Sequence, residues 1–235
     1  MLFKTTQNNN FAAIGIGAMI VFIAITLVAG IAASVIIQTA NNLENQSTNT
    51  GQQTTVDVAT GIRVVDIEGE KTTRSNQSGV GSWWNNTRIH NITITVTPKA
   101  GSEEIDLSNT LIEISNSTIK CILNYTSNTN RDFAAQPASG GIFSTTDVIS
   151  IFHQSANGFG IIELFDEDGS CTATTPVINR GDKVMLCINA SACFKGFQSR
   201  GDVYGMIIPE FGTSASFSFV VPSFSGDTVY CMYYT

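Results

Sequence analysis

Charge is scarce in this chain. Only 13% of its 235 residues are Asp, Glu, Lys or Arg, and none of them lies between Lys4 and Glu44. Basic residues are the rarer sign, 12 against 19, and a net charge of −7 argues against a nucleic acid as partner, because phosphates call for a basic face. Histidine occurs only at His90 and His153, in strand-like stretches that suit packing or surface positions. No GxSxG, HExxH or phosphate-binding GxxxxGK[ST] loop occurs, and no Cys/His pairing has a recognisable spacing. These absences argue against an enzyme and against a bound cofactor.

Cysteine is limited to Cys121, Cys171, Cys187, Cys193 and Cys231, all in the C-terminal half and none in a CxxC pair, which disfavours zinc. An exported chain has room for up to two disulfides with one thiol left over. Five choices of spare thiol and three connectivities of the rest leave about fifteen arrangements, among which sequence does not choose. Cys187 and Cys193, close together around the end of a strand, are the favoured pair; the competing reading has all five reduced and buried. Asn, Ser and Thr carry the polar share, as suits a surface outside the cell.

The uncharged gap holds FAAIGIGAMIVFIAITLVAGIAASVIIQ, Phe11 to Gln38. From Ala12 to Ile37 it is apolar or small apart from Thr26 and Ser34. As a helix, these 26 residues reach roughly 39 Å, enough to cross a bilayer of about 30 Å. A secretory signal would also be apolar, with AGIAAS (Ala29–Ser34) as its cut site, yet the run continues through Val35–Ile37. A plain membrane anchor explains the length but not the small residues at both ends, which let helices approach one another closely. A helix that is apolar all round must be buried in lipid or against other apolar helices.

Asn41 to Thr55 is polar and of low complexity, and reads as a linker or a fraying helix end. Beyond Val56 the pattern has period two. NITITVT (Asn91–Thr97), LIEIS (Leu111–Ser115), IKCILNY (Ile119–Tyr125), VISIF (Val148–Phe152), GIIELF (Gly160–Phe165), KVMLCIN (Lys183–Asn189), FSFVV (Phe217–Val221) and TVYCMYY (Thr228–Tyr234) are strand-like runs separated by Gly, Asn, Asp and Pro. The fold class is therefore α+β: a long hydrophobic N-terminal helix followed by an antiparallel, Ig-like β-sandwich or barrel.

The order and spacing of AIGIGAMIVFIAITLVAGIAASVII (Ala13–Ile37) are specific, and they resemble the N-terminus of archaeal flagellins (archaellins), the type IV pilin-like subunits of the archaellum. A second resemblance lies at the other end, in RGDKVMLCIN (Arg180–Asn189) followed by RGDVYGMIIPEFGTSASFSFVVPSF (Arg200–Phe224). The stretch between, from Val56 to Asn179, carries no specific match and reads as the variable outer part.

The resemblance implies a leader, residues 1–12, that a prepilin-type peptidase removes between Ala12 and Ala13. Phe11 and Ala12 stand where the family usually has a basic residue and glycine. Residues 13–55 would be the helix and linker of the filament core, and residues 56–235 the β-rich outer domain. Ile16, Ile20, Phe22, Ile23, Leu27, Ile31 and Val35 are the expected core-packing positions. The partners implied are copies of the chain, related archaellins, the peptidase and the assembly platform with its motor, with the membrane holding the subunit before assembly. The function implied is motility by an extracellular filament. Two alternatives are an adhesive type IV pilus subunit and an anchored or secreted β-sandwich binding protein.

Sequons begin at Asn45, Asn76, Asn85, Asn91, Asn116, Asn124 and Asn189. Composition alone gives roughly four, so N-glycosylation is expected at several, loop sites Asn76 and Asn85 first. Two RGD triplets, Arg180–Asp182 and Arg200–Asp202, read as turns before strands rather than as adhesive motifs. In DEDG, Asp166 and Asp168 are candidates for a hard cation, although Asp-Gly is also a common hairpin turn and that reading is preferred. Trp83 and Trp84 are candidate contact aromatics for sugar or a neighbouring subunit.

Overall fold

The first proline in the chain is Pro98, so nothing in the N-terminal quarter forces a helix to stop. The computed structural model describes residues 6–71, 88–126, 132–135, 142–143, 151–152, 157–224, 226 and 228–232, with side chains from residue 12 onward. One helix, α1, runs over Thr6–Ala59 for 54 residues. The polar stretch Asn41–Thr55 is thus helix rather than linker. Once a helix is nucleated, each added residue gains a hydrogen bond. Here Thr50 and Thr54 also fold their hydroxyls back onto the Gln46 and Thr50 carbonyls, each at 2.8 Å. The chain forms two compact units, one ending at Thr54 and the other running from Thr55 to the C-terminus.

The second unit is built from strands β1 (Ile62–Glu70), β2 (Arg88–Ile89), β3 (Asn91–Pro98), β4 (Ile105–Asp106), β5 (Leu111–Ser115), β6 (Lys120–Tyr125), β7 (Phe133–Ala135) and β8 (Gly158–Phe165). They continue as β9 (Val177–Ile178), β10 (Lys183–Asn189), β11 (Phe197–Gln198), β12 (Asp202–Ile208), β13 (Ala215–Val220) and β14 (Val229–Cys231). The main sheet runs β13-β12-β5-β6-β8-β10-β3-β1-β14, with β7 also on β8. Its pairings are antiparallel except where β8 meets β6 and β7. The β6–β8 link consists of two residue pairs, Asn124 with Gly158 and Tyr125 with Phe159. That narrow splice divides the sheet into two halves.

The halves share one core. Ile112, Ile114, Val203 and Phe217 from one side join Ile67, Ile94, Leu186 and Phe159 from the other, all buried. Each such side chain contributes about 2–3 kcal/mol by leaving water. A second, smaller cluster lies on Ile162, Met185 and Cys187, whose neighbours along the strands point into the main core. Ile151 and Phe152 cover it. Those two residues are therefore not in a strand, although VISIF reads as one. A short apolar run has the same composition whether it pairs in a sheet or lies across it.

Helix α2 (Ala190–Phe194) follows β10 directly. Asn189 starts it by accepting the amides of Ser191 and Ala192, and Lys195 ends it in the left-handed conformation. Cys193 on α2 is disulfide-bonded to Cys121 at the start of β6, 72 residues away. The favoured Cys187–Cys193 pairing is thereby corrected. Cys187 belongs to the smaller cluster on one face of β10, whereas Cys193 packs on the main core at the other.

Candidate assembly helix and surface sites

Between Ala12 and Ile37 every side chain of α1 is exposed. Ile16, Ile20, Phe22, Ile23, Leu27, Ile31 and Val35 are each more than half accessible. At about 100° per residue, all of them except Phe22 fall within one stripe of roughly 120°, and Phe22 stands on the other side. The remaining circumference carries Ile14, Met19, Val21, Ile25, Val28, Ile36 and Ile37, so no polar face exists. The three hydroxyls in and just beyond this stretch are hidden against the backbone. Thr26 donates to the Ile23 carbonyl at 2.9 Å, Ser34 to Ile31 at 3.1 Å, and Thr39 to Val35 and Ile36. With backbone and hydroxyls satisfied internally, the helix is suited to an environment without water. It is long and apolar enough to cross a membrane. Ala12 and Ala13, the expected cut, lie within it.

The sequons differ in what their side chains already do. Asn91 donates to a Glu70 carboxylate oxygen at 2.8 Å, and Asn189 is committed to capping α2. Asn45 is exposed on α1 and Asn124 is exposed on β6. Asn116 occupies the β5–β6 turn, where its side-chain oxygen accepts the amides of Thr118 at 3.2 Å and Ile119 at 2.9 Å. Ser117 between them takes a positive φ of 68°. Asn76, Asn85, Trp83, Trp84 and His153 lie outside the described residues. His90, between β2 and β3, is buried, with its Nδ1 2.6 Å from the Ser191 hydroxyl, which ties that junction to α2.

The DEDG turn gathers a third acid that the linear motif does not show. Asp166, Asp168 and Asp182 hold carboxylate oxygens within 4.8 Å of one another. Such oxygens suit a hard cation such as calcium. Backbone amides occupy them in the structure: Gly169 and Cys171 donate to Asp166, Ser170 to Asp168, and Asn179 to Asp182. Asp182 is buried, which also makes the first RGD triplet a structural turn, with Gly181 at φ 111°. Burial raises the Asp182 pKa, its Asn179 amide bond pulls the other way, and Asp166 and Asp168 raise it further, for a net rise. Hydrogen bonds from Ser170 and Asn179 instead hold exposed Asp168 below the usual range. The nearby Cys171 thiol is pushed up to about 12, by burial first and then by Asp166, Glu163 and Asp182. Burial alone raises Cys187 well above an ordinary thiol. Both thiols are chemically quiet.

The sign for Asp182 follows from its raised folded-state pKa. Its protonated form is the one the fold favours, so its contribution is present below the unfolded pKa and is lost as pH rises through the folded value. Melting Asp182→Asn beside the parent chain, with a chelator present, should show the variant's Tm gaining on the parent from about pH 4 to pH 7. A Tm difference independent of pH would remove Asp182 as the titrating group.

Comparison with known proteins agrees with this arrangement. The family model for archaeal-type flagellin matches residues 12–219. Flagellin B2 of Methanocaldococcus jannaschii is 40% identical over 211 residues, spanning 90% of this chain and 89% of that protein. The crystal structure of archaeal flagellin FlaB1 from the same organism superposes with a TM-score of 0.61 at 26% identity, covering 74% of this chain and 97% of that one. A chain of the archaeal flagellum of Methanospirillum hungatei strain JF1 shares the fold, with a TM-score of 0.57 at 15% identity, over 92% of this chain and 98% of that one. A helix free of charge as far as Glu44, followed by a mostly antiparallel β unit and matched along nearly its whole length, places this chain in the archaeal-type flagellin family.

Proposed function

We propose that this chain is a structural subunit of an extracellular archaellum filament, polymerising through α1 to serve motility. The observation that carries the reading is the stretch Ala12–Ile37, apolar on every side and exposed in the single chain of a flagellin-family member. Left in water, such a surface would cost tens of kcal/mol at about 25 cal/mol per Å². Lipid and a bundle of identical helices both relieve that cost, so passage from one to the other is nearly neutral. Head-to-tail contacts between identical copies do not close and so extend into a fibre. Ile16, Ile20, Ile23, Leu27, Ile31 and Val35 pack along one seam and Phe22 along another. A prepilin-type peptidase cuts between Ala12 and Ala13, and an assembly platform with its motor draws the subunit from the membrane. The β unit forms the outer wall, with related archaellins as further neighbours.

Among the described sequons, Asn116 is the first choice for a glycan. It lies in a turn followed by exposed residues, where its side-chain oxygen accepts two amides, whereas Asn91 and Asn189 are engaged in the fold. Mass analysis of purified extracellular filaments tests both points. The expected result is a polypeptide that begins at Ala13 and carries sugar on the Asn116 peptide. A soluble monomer beginning at Ser34 would identify the segment as an ordinary signal peptide and end the filament reading.

A further inference from the structure

The two outer faces of the sheet are treated differently by the chain. Over β8 and β10, the Ile162–Met185–Cys187 surface is covered by Ile151, Phe152, Ile142 and Phe143. Over β12, β5 and β6, the outward side chains remain exposed. Strand register places Ile208 beside Leu111, Met206 beside Glu113, Glu113 beside Ile122, and Tyr204 beside Ser115. Leu111, Ile122, Tyr204 and Met206 are 42%, 52%, 53% and 37% exposed. With partly buried Ile208 they lie side by side on one contiguous face, and a contiguous exposed apolar patch marks an interaction site.

We infer that this face is a lateral interface in the filament wall, occupied by a second copy of the same chain. The inference rests on the polymer reading above. Two features select a copy as occupant. The first is charge: the chain carries −7 overall, so copies repel in general. The centre of this face is neutral, because Lys120 lies 2.8 Å from Glu113 and the pair cancels. Approach is therefore least opposed here. The second is size: four exposed side chains and a partly buried fifth fall well short of the roughly 20–30 residues that one partner gives to a standard interface. A face that size is too small to hold a free partner by itself. It suits a subunit already held by its helix, for which the second contact is intramolecular within the assembly.

Hydroxyl-radical footprinting of native filaments and of full-length subunits dispersed in detergent tests the face without any substitution. Tyr204 and Met206 oxidise readily when exposed, and Phe165, exposed outside the face, serves as reference. Both residues are expected to oxidise about fivefold more slowly in filaments than in dispersed subunits, since the core of an interface excludes water. Equal rates in intact filaments overturn this face alone, and absence of filaments overturns the polymer reading together with it. Short amine crosslinking from Lys120 names the occupant: a link to another copy supports the inference, and a link to a different protein overturns it. A glycan found on Asn124 in filaments also overturns it, because that residue pairs with Leu111 and a sugar there would stand on the face.

Discussion

Phe22→Asp and Leu27→Asp are each expected to abolish filaments while leaving the β unit folded. An aspartate at the centre of an apolar helix costs about 2.5–3.5 kcal/mol on entering lipid, which weakens the anchored state but does not forbid it. In the assembled core the penalty recurs in every copy. Two like charges 4 Å apart at an effective dielectric of 20 repel by about 4 kcal/mol, and a helical bundle sets such pairs along its length. The two positions lie about 140° apart around α1, five residues at 100° each. A core that used only one seam would tolerate one of the two variants. The all-round apolar surface of α1 predicts that neither is tolerated. Electron microscopy of cell surfaces should show no filaments, and the β unit should melt at the parent temperature, since its core includes no residue of that stretch. Leu27→Met, which conserves volume and polarity, is the control and should assemble. Filaments of normal number in both aspartate variants would refute the helix-core reading.

What the sequence made legible follows the strength of its periodicities. The apolar stretch Ala12–Ile37, inside a run free of charge from Lys4 to Glu44, announced α1, because it is long enough to cross a bilayer as a helix. Its C-terminal limit was hidden: Asn41–Thr55 has the composition of a linker, but a growing helix needs only the absence of a breaker. Strands β3, β5, β6, β8, β10, β13 and β14 were readable as apolar or alternating runs. Strands β1 and β12 were not, for different reasons. In β1 the alternation is broken by a register shift between Val64 and Asp66. In β12, Gly205 looks like a breaker, yet it is there because the Phe217 ring lies over it, and a Cβ would come within 2.1 Å of that ring.

The sites show the same division. Asp166 and Asp168 were visible as a local motif. Asp182 joins them only because β8 and β10 pair, with Lys183 opposite Phe165. Cys187 and Cys193 looked like partners because they are close in sequence. β10 ends at Asn189, and the turn into α2 carries Cys193 to the main core while Cys187 stays on the opposite face of the strand, so proximity along the chain does not bring them together.

Cys121→Ser is expected to be the most destabilising single change in the β unit short of a core deletion. The Cys121–Cys193 bond closes a loop of 72 residues. On the chain-entropy account, that closure removes freedom from the unfolded chain worth about 4 kcal/mol at 25 °C. Its position adds to the effect. Among the described residues the two halves of the sheet meet through two residue pairs between β6 and β8, and the disulfide ties β6 to α2, which continues from β10 in the other half. For a unit of this size each kcal/mol moves Tm by about 2–4 °C, so a fall on the order of 10 °C is expected under oxidising conditions. Added reductant should bring the parent chain to the same Tm while leaving the variant unchanged, which separates loss of the bond from loss of side-chain packing. Cys187→Ala removes no bond and leaves only a small cavity, so its cost should be about 1 kcal/mol and indifferent to reductant. Peptide mapping without reduction should recover Cys121 linked to Cys193, with Cys171, Cys187 and Cys231 as thiols. A parent chain insensitive to reductant, or one in which Cys187 is joined to Cys193, would overturn the clamp and return the pairing to what closeness in sequence suggested.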